Sequence, residues 1–189
     1  MKLFINACVR RDSRTRQLAE AVMAEDREAY REVYLPAISF PKVDEAFLEW
    51  RNDCVAQGDF TSPVFDLAKD FAAAEAIVVA APFWDLSFPS MLKQYIEQIC
   101  VLGITFFYND QDMPQGLCRA RKLTYVVTAG GPIYDEAFGY GYVKAVANTF
   151  FGIPETRIIK AENLDIRGAD VDGIMRKAME DVEWLVAGD

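Results

Sequence analysis

Residues 77–97 read IVVAAPFWDLSFPSMLKQYIE, and the fold turns on how this stretch divides. With Ala76 in front, AIVVAAP at 76–82 is apolar throughout. A strand with one wet face alternates polar and apolar residues, so this one is expected to be covered on both faces, in the middle of a sheet. Pro89 suits a first helical turn, and Leu92, Tyr95, Ile96 and Ile99 recur at helical spacing, marking the buried face of a helix that ends near Gly103. Phe83, Trp84 and Asp85 crowd the corner between strand and helix. Such a flat aromatic corner implies something flat lying against it.

Working outward, KLFINAC at 2–8 reads as a short buried strand, and Ser13 precedes a helix in which Leu18 and Val22 share a face. EVYLP at 32–36 is a second strand closed by Pro36, and residues from 44 predict a helix stopped by Gly58. Val64, Leu67, Ala68, Phe71 and Ala72 mark the buried face of the next helix, which starts near Pro63. KLTYVVT at 122–128 is another buried strand, a helix lies within 138–150, and RIIKAE at 157–162 is the last strand. Val171, Ile174, Met175, Ala178, Val182 and Leu185 stripe a C-terminal helix. Residues 105–121 show no regular pattern but carry aromatics among turn formers, as functional loops do. Five strands separated by helices predict a single α/β domain over residues 1–189, a parallel sheet with helices on both faces and right-handed crossovers.

Composition narrows the function. A formal net charge of -9 works against binding nucleic acid or an anionic membrane surface, which need a neutralising Lys/Arg face, and leaves small molecules or proteins as partners. The first residues lack a secretory apolar core and no apolar run is long enough to span a bilayer, so the cytoplasm is the expected location. Cys8, Cys54, Cys100 and Cys118 are scattered with no C-x-x-C pair, which suits reduced thiols and no metal site. The chain has no histidine, which removes Ser-His-Asp and Cys-His catalysis. An enzyme of this composition would draw its chemistry from a cofactor.

Three loops offer that cofactor a place. After the first strand, Arg10, Arg11 and Arg14 bring charge, and Ser13 and Thr15 bring hydroxyls at a helix start whose N–H groups lack partners. A capped helix with solvated arginines would look the same. After the third strand, Phe83 and Trp84 can stack on a planar heterocycle, or simply pack at a strand end. After the fourth, TAGGP at 128–132 lets backbone approach a ligand closely, or makes an ordinary turn. Together the three meet at the switch point of a sheet ordered 2-1-3-4-5, where ligands of open parallel sheets bind. No G-x-G-x-x-G follows the first strand, so FMN fits better than a dinucleotide as the resident ligand, its phosphate on the first loop and its ring in the aromatic corner.

At these residues the chain resembles the flavodoxin-like quinone reductases and FMN-dependent azoreductases. The resemblance covers almost the whole chain and is strongest through AAPFWDLSFPSMLKQYIE, GITFFYNDQDMPQGL and VVTAGGP. It implies a flavodoxin-like fold and an oxidoreductase that moves electrons from NADH or NADPH through FMN to a quinone, azo compound or other aromatic acceptor, the two substrates alternating over one flavin face. It also implies that Ser13, Arg14 and Thr15, with Arg10 beside them, hold the phosphate. Pro82, Phe83, Trp84, Asp85 and Leu86 would lie along the isoalloxazine, and Thr128, Ala129, Gly130 and Gly131 would meet its polar edge. Phe106 and Tyr108 resemble aromatics of the acceptor pocket, and Tyr134 stands in the loop where a hydrogen-bond donor to substrate is found. No residue is singled out as catalytic, and a homodimer with the active site at its interface is the expected assembly.

This chain departs from the pattern where azoreductases often carry Tyr-Asn-Phe, having Trp84, Asp85 and Leu86. An Asp85 carboxylate beside the flavin would oppose an anionic ring and lower its potential; pointed to solvent, it would contribute through its backbone alone. Two other readings share the fold: an FMN electron carrier resembling flavodoxin, which the acidic charge suits, and a flavin-free interaction protein.

Overall fold

The computed structural model describes residues 1–24 and 29–187, with side chains in the last helix described to residue 182. Its centre is a parallel sheet of five strands: β1 (Lys2–Asn6), β2 (Tyr30–Tyr34), β3 (Ala76–Ala80), β6 (Lys122–Thr128) and β7 (Glu155–Ala161). They run in the order β2-β1-β3-β6-β7, which is 2-1-3-4-5 once the two short strands outside the sheet are set aside. The stretch at 76–80 is the central strand, as its unbroken apolarity predicts, and Ile77, Val78, Val79 and Ala80 are each at most 2% exposed.

The pleat sends alternate residues to opposite cores. Leu3, Ile5, Ile77, Val79, Leu123, Tyr125 and Val127 face one layer of helices, comprising α3 (Asp66–Ala73), α4 (Ser90–Ile99) and α5 (Tyr140–Thr149), with α2 (Glu45–Gln57) at its margin. Phe4, Val78, Ala80, Val126 and Ile159 face the other, where α1 (Arg14–Ala24) inserts Leu18, Ala19 and Val22 and α6 (Val171–Ala187) inserts Met175, Ala178 and Val182. Leu185, expected on the same stripe, lies outside the residues whose side chains are described. Each of these buried aliphatic chains stabilises the fold by roughly 1.5–3 kcal/mol relative to exposure.

Helix ends follow local chemistry. Asp44 caps α2 by accepting the Phe47 N–H at 3.1 Å, and Gly58 ends it in the left-handed region at φ 67°. Ser62 opens a 3-10 turn that leads into α3, where Phe65 is buried although the helical face read from sequence omits it. Pro89 is the residue before α4, with Ser90 its first turn, and α4 stops at Ile99, short of Gly103.

Four strand boundaries differ from the sequence reading, β3 ending at Ala80 before Pro82 and β7 running over Glu155–Ala161. β1 ends at Asn6, whose side-chain oxygen accepts the Cys8 N–H at 2.9 Å and turns the chain out of the sheet. β2 begins at Tyr30 and stops before Leu35–Ala37, where Pro36 belongs to a 3-10 turn. Residues 105–121 are not irregular: β4 (Phe106–Tyr108) and β5 (Pro114–Gly116) pair antiparallel in a hairpin of their own. Three-residue strands are too short to show a period of two, and Pro114 hides the second at its first position. The hairpin is seated backbone to backbone. A methyl group on Gly116 would stand 2.2 Å from the Gly152 amide nitrogen and from the Phe151 carbonyl carbon.

Candidate active site

In register, Asn6 pairs with Ala80 and Ala80 with Val126, so three adjacent strands reach the carboxyl edge of the sheet nearly level. Backbone hydrogen bonds continue past the strands: Ala7 N–H to Ala80 O at 2.9 Å, Ala81 N–H to Val126 O at 3.0 Å, Phe83 N–H to Thr128 O at 3.0 Å and Ala129 N–H to Ala161 O at 2.9 Å. The loops therefore leave from a fixed shelf. Above it lies a cleft of about 320 Å³ lined by Arg10, Ser13, Arg14, Thr15, Pro82, Phe83, Trp84, Thr128, Ala129 and Gly130 from the three expected loops.

The first loop is organised by Ser13. Its hydroxyl oxygen accepts the Arg16 N–H at 3.3 Å and its carbonyl accepts the Gln17 N–H at 3.0 Å, which leaves the N–H groups of Arg14 and Thr15 at the open start of α1. Burial pushes the Cys8 thiol behind this loop up in pKa, against the opposing pull of its bond to the Ser13 hydroxyl and of the Arg16 cation. Thr15 is 1% exposed, and its hydroxyl shares a 2.6 Å hydrogen bond with that of Thr128. That bond ties the first loop to the end of β6 across 113 residues of sequence. Arg14 Nη1 donates to Asp165 Oδ1 at 3.1 Å.

The aromatic corner is a two-residue turn. Trp84 and Ser87 exchange backbone hydrogen bonds of 2.8 Å in both directions, and the residues between them, Asp85 and Leu86, have φ of 50° and 67°. Positive φ at both central positions is the signature of a type I′ turn, which usually recruits Asn and Gly. The turn carries Trp84 on the side of the cleft. On its other side Asp85 and Leu86 border a second, apolar depression of about 540 Å³ with Ser87, Phe88, Lys93, Ala137, Phe138 and Tyr142. The Ser87 hydroxyl donates to the Phe138 carbonyl and joins the two walls. Lys93 pairs with Glu97 and stands 5.9 Å from the Tyr142 ring centre.

The shelf thus gathers ten of the residues expected at a cofactor site, while Asp85 and Leu86 fall on the neighbouring depression. Gly131 is on neither lining, and it sits over the loop after β7 by accepting the Asn163 N–H at 3.2 Å. Phe106, Tyr108 and Tyr134 are also outside both linings. Phe106 is packed edge-on against Phe150 at 5.0 Å and against Tyr108 at 5.6 Å, and Tyr134 is 84% exposed. Val9, Asp12, Leu164 and Asp165 complete the cleft without having been read from the sequence. The last two follow the fifth strand, and the rule that ligands sit beyond carboxyl ends of strands would have nominated their loop.

FMN asks for an anion-binding end and a flat apolar wall within one cleft. The open start of α1, Ser13 and the Arg10 and Arg14 cations supply the first, and Pro82, Phe83 and the part-exposed Trp84 supply the second. A methyl group on Gly130 would stand 2.4 Å from Asp165 Oδ2, so the Asp165 carboxylate lies directly beside the Gly130 backbone. The donor set fits the cofactor.

Comparison with known proteins agrees. Residues 2–185 match the family described as having a flavodoxin-like fold. A protein of Lachnoclostridium phytofermentans named FMN-dependent NADH:quinone oxidoreductase is 31% identical over 188 residues, covering 94% of this chain and 93% of its own. One of the same name in Clostridium acetobutylicum, numbered 2, is 43% identical over 122 residues, 62% of this chain, and the match spans only 60% of its length. Among solved structures, an azoreductase from Bacillus anthracis superposes with a TM-score of 0.82 at 19% identity over all of both chains. An FMN-dependent NADH-azoreductase of the same species, in complex with FMN, gives 0.80 at 20% identity over 99% of this chain and 98% of its own. At those identities the two structures bear on the fold alone. The chain belongs to the flavodoxin-like fold family and, within it, to the group of proteins named FMN-dependent NADH:quinone oxidoreductase.

Proposed function

We propose that this protein is an FMN-dependent oxidoreductase that takes electrons from NADH and passes them to a quinone, azo compound or similar flat aromatic acceptor. The observation that carries the reading is the cleft itself, where a helix start with arginines and an aromatic turn face each other across the switch point of the sheet. Bound FMN would supply the hydride chemistry. Ser13, Arg14 and the first amides of α1 would hold the phosphate, while Pro82, Phe83 and Trp84 would orient the ring, with Thr128, Ala129 and Gly130 at its polar edge. The absence of histidine is consistent with this, because the protein's task is orientation and electrostatics and no side-chain nucleophile is required. The names of the relatives favour NADH over NADPH as donor.

We place the protein in the cytoplasm as a homodimer. Among the described residues no helix is long and apolar enough to cross a membrane. Leu86 and Phe138, exposed by 60% and 59%, line the apolar depression beside the cleft, which a second copy could cover. The exposed Tyr108 and Tyr134 would then reach an acceptor pocket only across that interface, with the buried Phe106 supporting Tyr108 from behind.

The test is a visible spectrum after reconstitution with FMN and desalting, followed anaerobically on adding NADH and then NADPH. Retained flavin bleached faster by NADH is the expected result. Retained flavin that neither nucleotide bleaches would assign an electron carrier instead, and a colourless protein would overturn the cofactor assignment.

A further inference from the structure

The Arg14 cation proposed to meet a phosphate is already paired with Asp165 at 3.1 Å, in a bridge whose two side chains are 41% and 72% exposed. So open an ion pair contributes little to folding, and the fold does not depend on it. Its position is more informative than its strength. Asp165 lies on the lining of the same cleft as Arg10, Ser13 and Arg14, so its negative charge faces the place where an anion would bind. It is also held there: its own N–H donates to the Gly130 carbonyl at 2.9 Å, and its carboxylate fills the space beside Gly130 that any side chain would take.

We propose that Asp165 is an affinity-setting counter-ion that competes with the phosphate for Arg14, so that the cradle alone holds simple anions weakly and retention of a ligand depends on stacking against the aromatic turn. The proposal rests on the reading of the cleft as an FMN site. An incoming phosphate must share or displace the carboxylate on Arg14 and lie near a like charge, and both effects lower phosphate affinity. Ring stacking on Phe83 and Trp84 is untouched by Asp165, so the carboxylate weakens FMN and inorganic phosphate by the same factor and leaves riboflavin, which has no phosphate, unaffected.

Asp165→Asn tests this, since it keeps the shape against Gly130 and the backbone bond while removing the charge. Fluorescence titrations of the intact protein and the variant with FMN, with riboflavin and with inorganic phosphate as competitor separate the contributions. FMN and phosphate should bind the variant roughly two- to five-fold more tightly, the range an exposed ion pair is worth, with riboflavin affinity unmoved. Weaker FMN binding to the variant would overturn the proposal and make Asp165 a support that aims Arg14, and an equal change for riboflavin would overturn it by placing the effect at the ring. Failure of the unmodified protein to bind FMN at all would instead sink the functional reading on which it stands.

Discussion

At the α1 end of the cleft, Thr15 is tied to Thr128 by a 2.6 Å hydrogen bond, Ser13 accepts the Arg16 N–H, and Ser13 and Thr15 are almost wholly buried. At the other end, Asp85 and Leu86 hold positive φ in an exposed turn, and away from the cleft Phe107, Tyr108 and Met113 stand out from a hairpin docked beside Gly152. The first region is an extension of the sheet; the second is two small antiparallel turns leaning against it. Phosphate recognition can be preorganised by main chain because every phosphate is alike. Acceptors differ, and a surface of turns and aromatic side chains can be reshaped without disturbing the strands beneath.

The largest effect should come from detaching the hairpin. In Gly116→Ala the new methyl meets backbone atoms that cannot turn aside, and a loss of about 3 kcal/mol or more is expected from such overpacking, seen as a lower urea midpoint. An unchanged midpoint would mean the hairpin is not docked on Gly152.

Next in size is the phosphate end. Ser13→Ala should cost about 1 kcal/mol of stability through the lost cap. It should also weaken FMN about ten-fold or more, as loss of a charge-assisted bond does. Thr15→Val should cost about 1 kcal/mol of stability by stranding the Thr128 hydroxyl, with a smaller effect on FMN because the Thr15 hydroxyl is spoken for. Isothermal titration of both variants ranks the two; equal losses of affinity would return Thr15 to the phosphate.

The strained turn predicts a gain. Leu86→Gly removes a side chain that is 60% exposed from a left-handed position, and stability should rise by about 1 kcal/mol, or about 2–4 °C in melting temperature. A fall would show that Leu86 is covered in the assembled protein.

The smallest effect is silent at neutral pH. Burial pushes the Cys118 thiol up to about 12 and the Cys100 thiol up to about 11, from an ordinary value of 9.0. The folded state keeps protons that the unfolded chain releases, so this stability is complete below pH 9 and is lost as pH rises toward 11 and 12. Urea midpoints from pH 7 to 11 should fall only above about 9, and Cys100→Ala with Cys118→Ala should flatten that limb.

Sequence patterning carried the sheet, its order and the three loops, because continuous apolar strands and helical stripes are local signals. It missed what depends on partners far away in the chain. Nothing near Thr15 tells that its hydroxyl will be consumed by Thr128, and nothing near Arg14 points to Asp165. The hairpin that carries Phe106 and Tyr108 went unseen because its strands are three residues long. The turn at Asp85 and Leu86 was also invisible, because a type I′ turn built without Asn or Gly leaves no mark in the sequence.

The level ends of β1, β3 and β6 make the scaffold modular in the engineer's sense. Because the three loops spring from one platform whose hydrogen bonds are complete beneath them, a change confined to Asp85 and Leu86 at the tip of the turn would redraw the neighbouring depression, leaving Phe83, Trp84 and the 10–15 loop as fixed handles for the cofactor. New substrate ranges could then be selected from libraries confined to one turn.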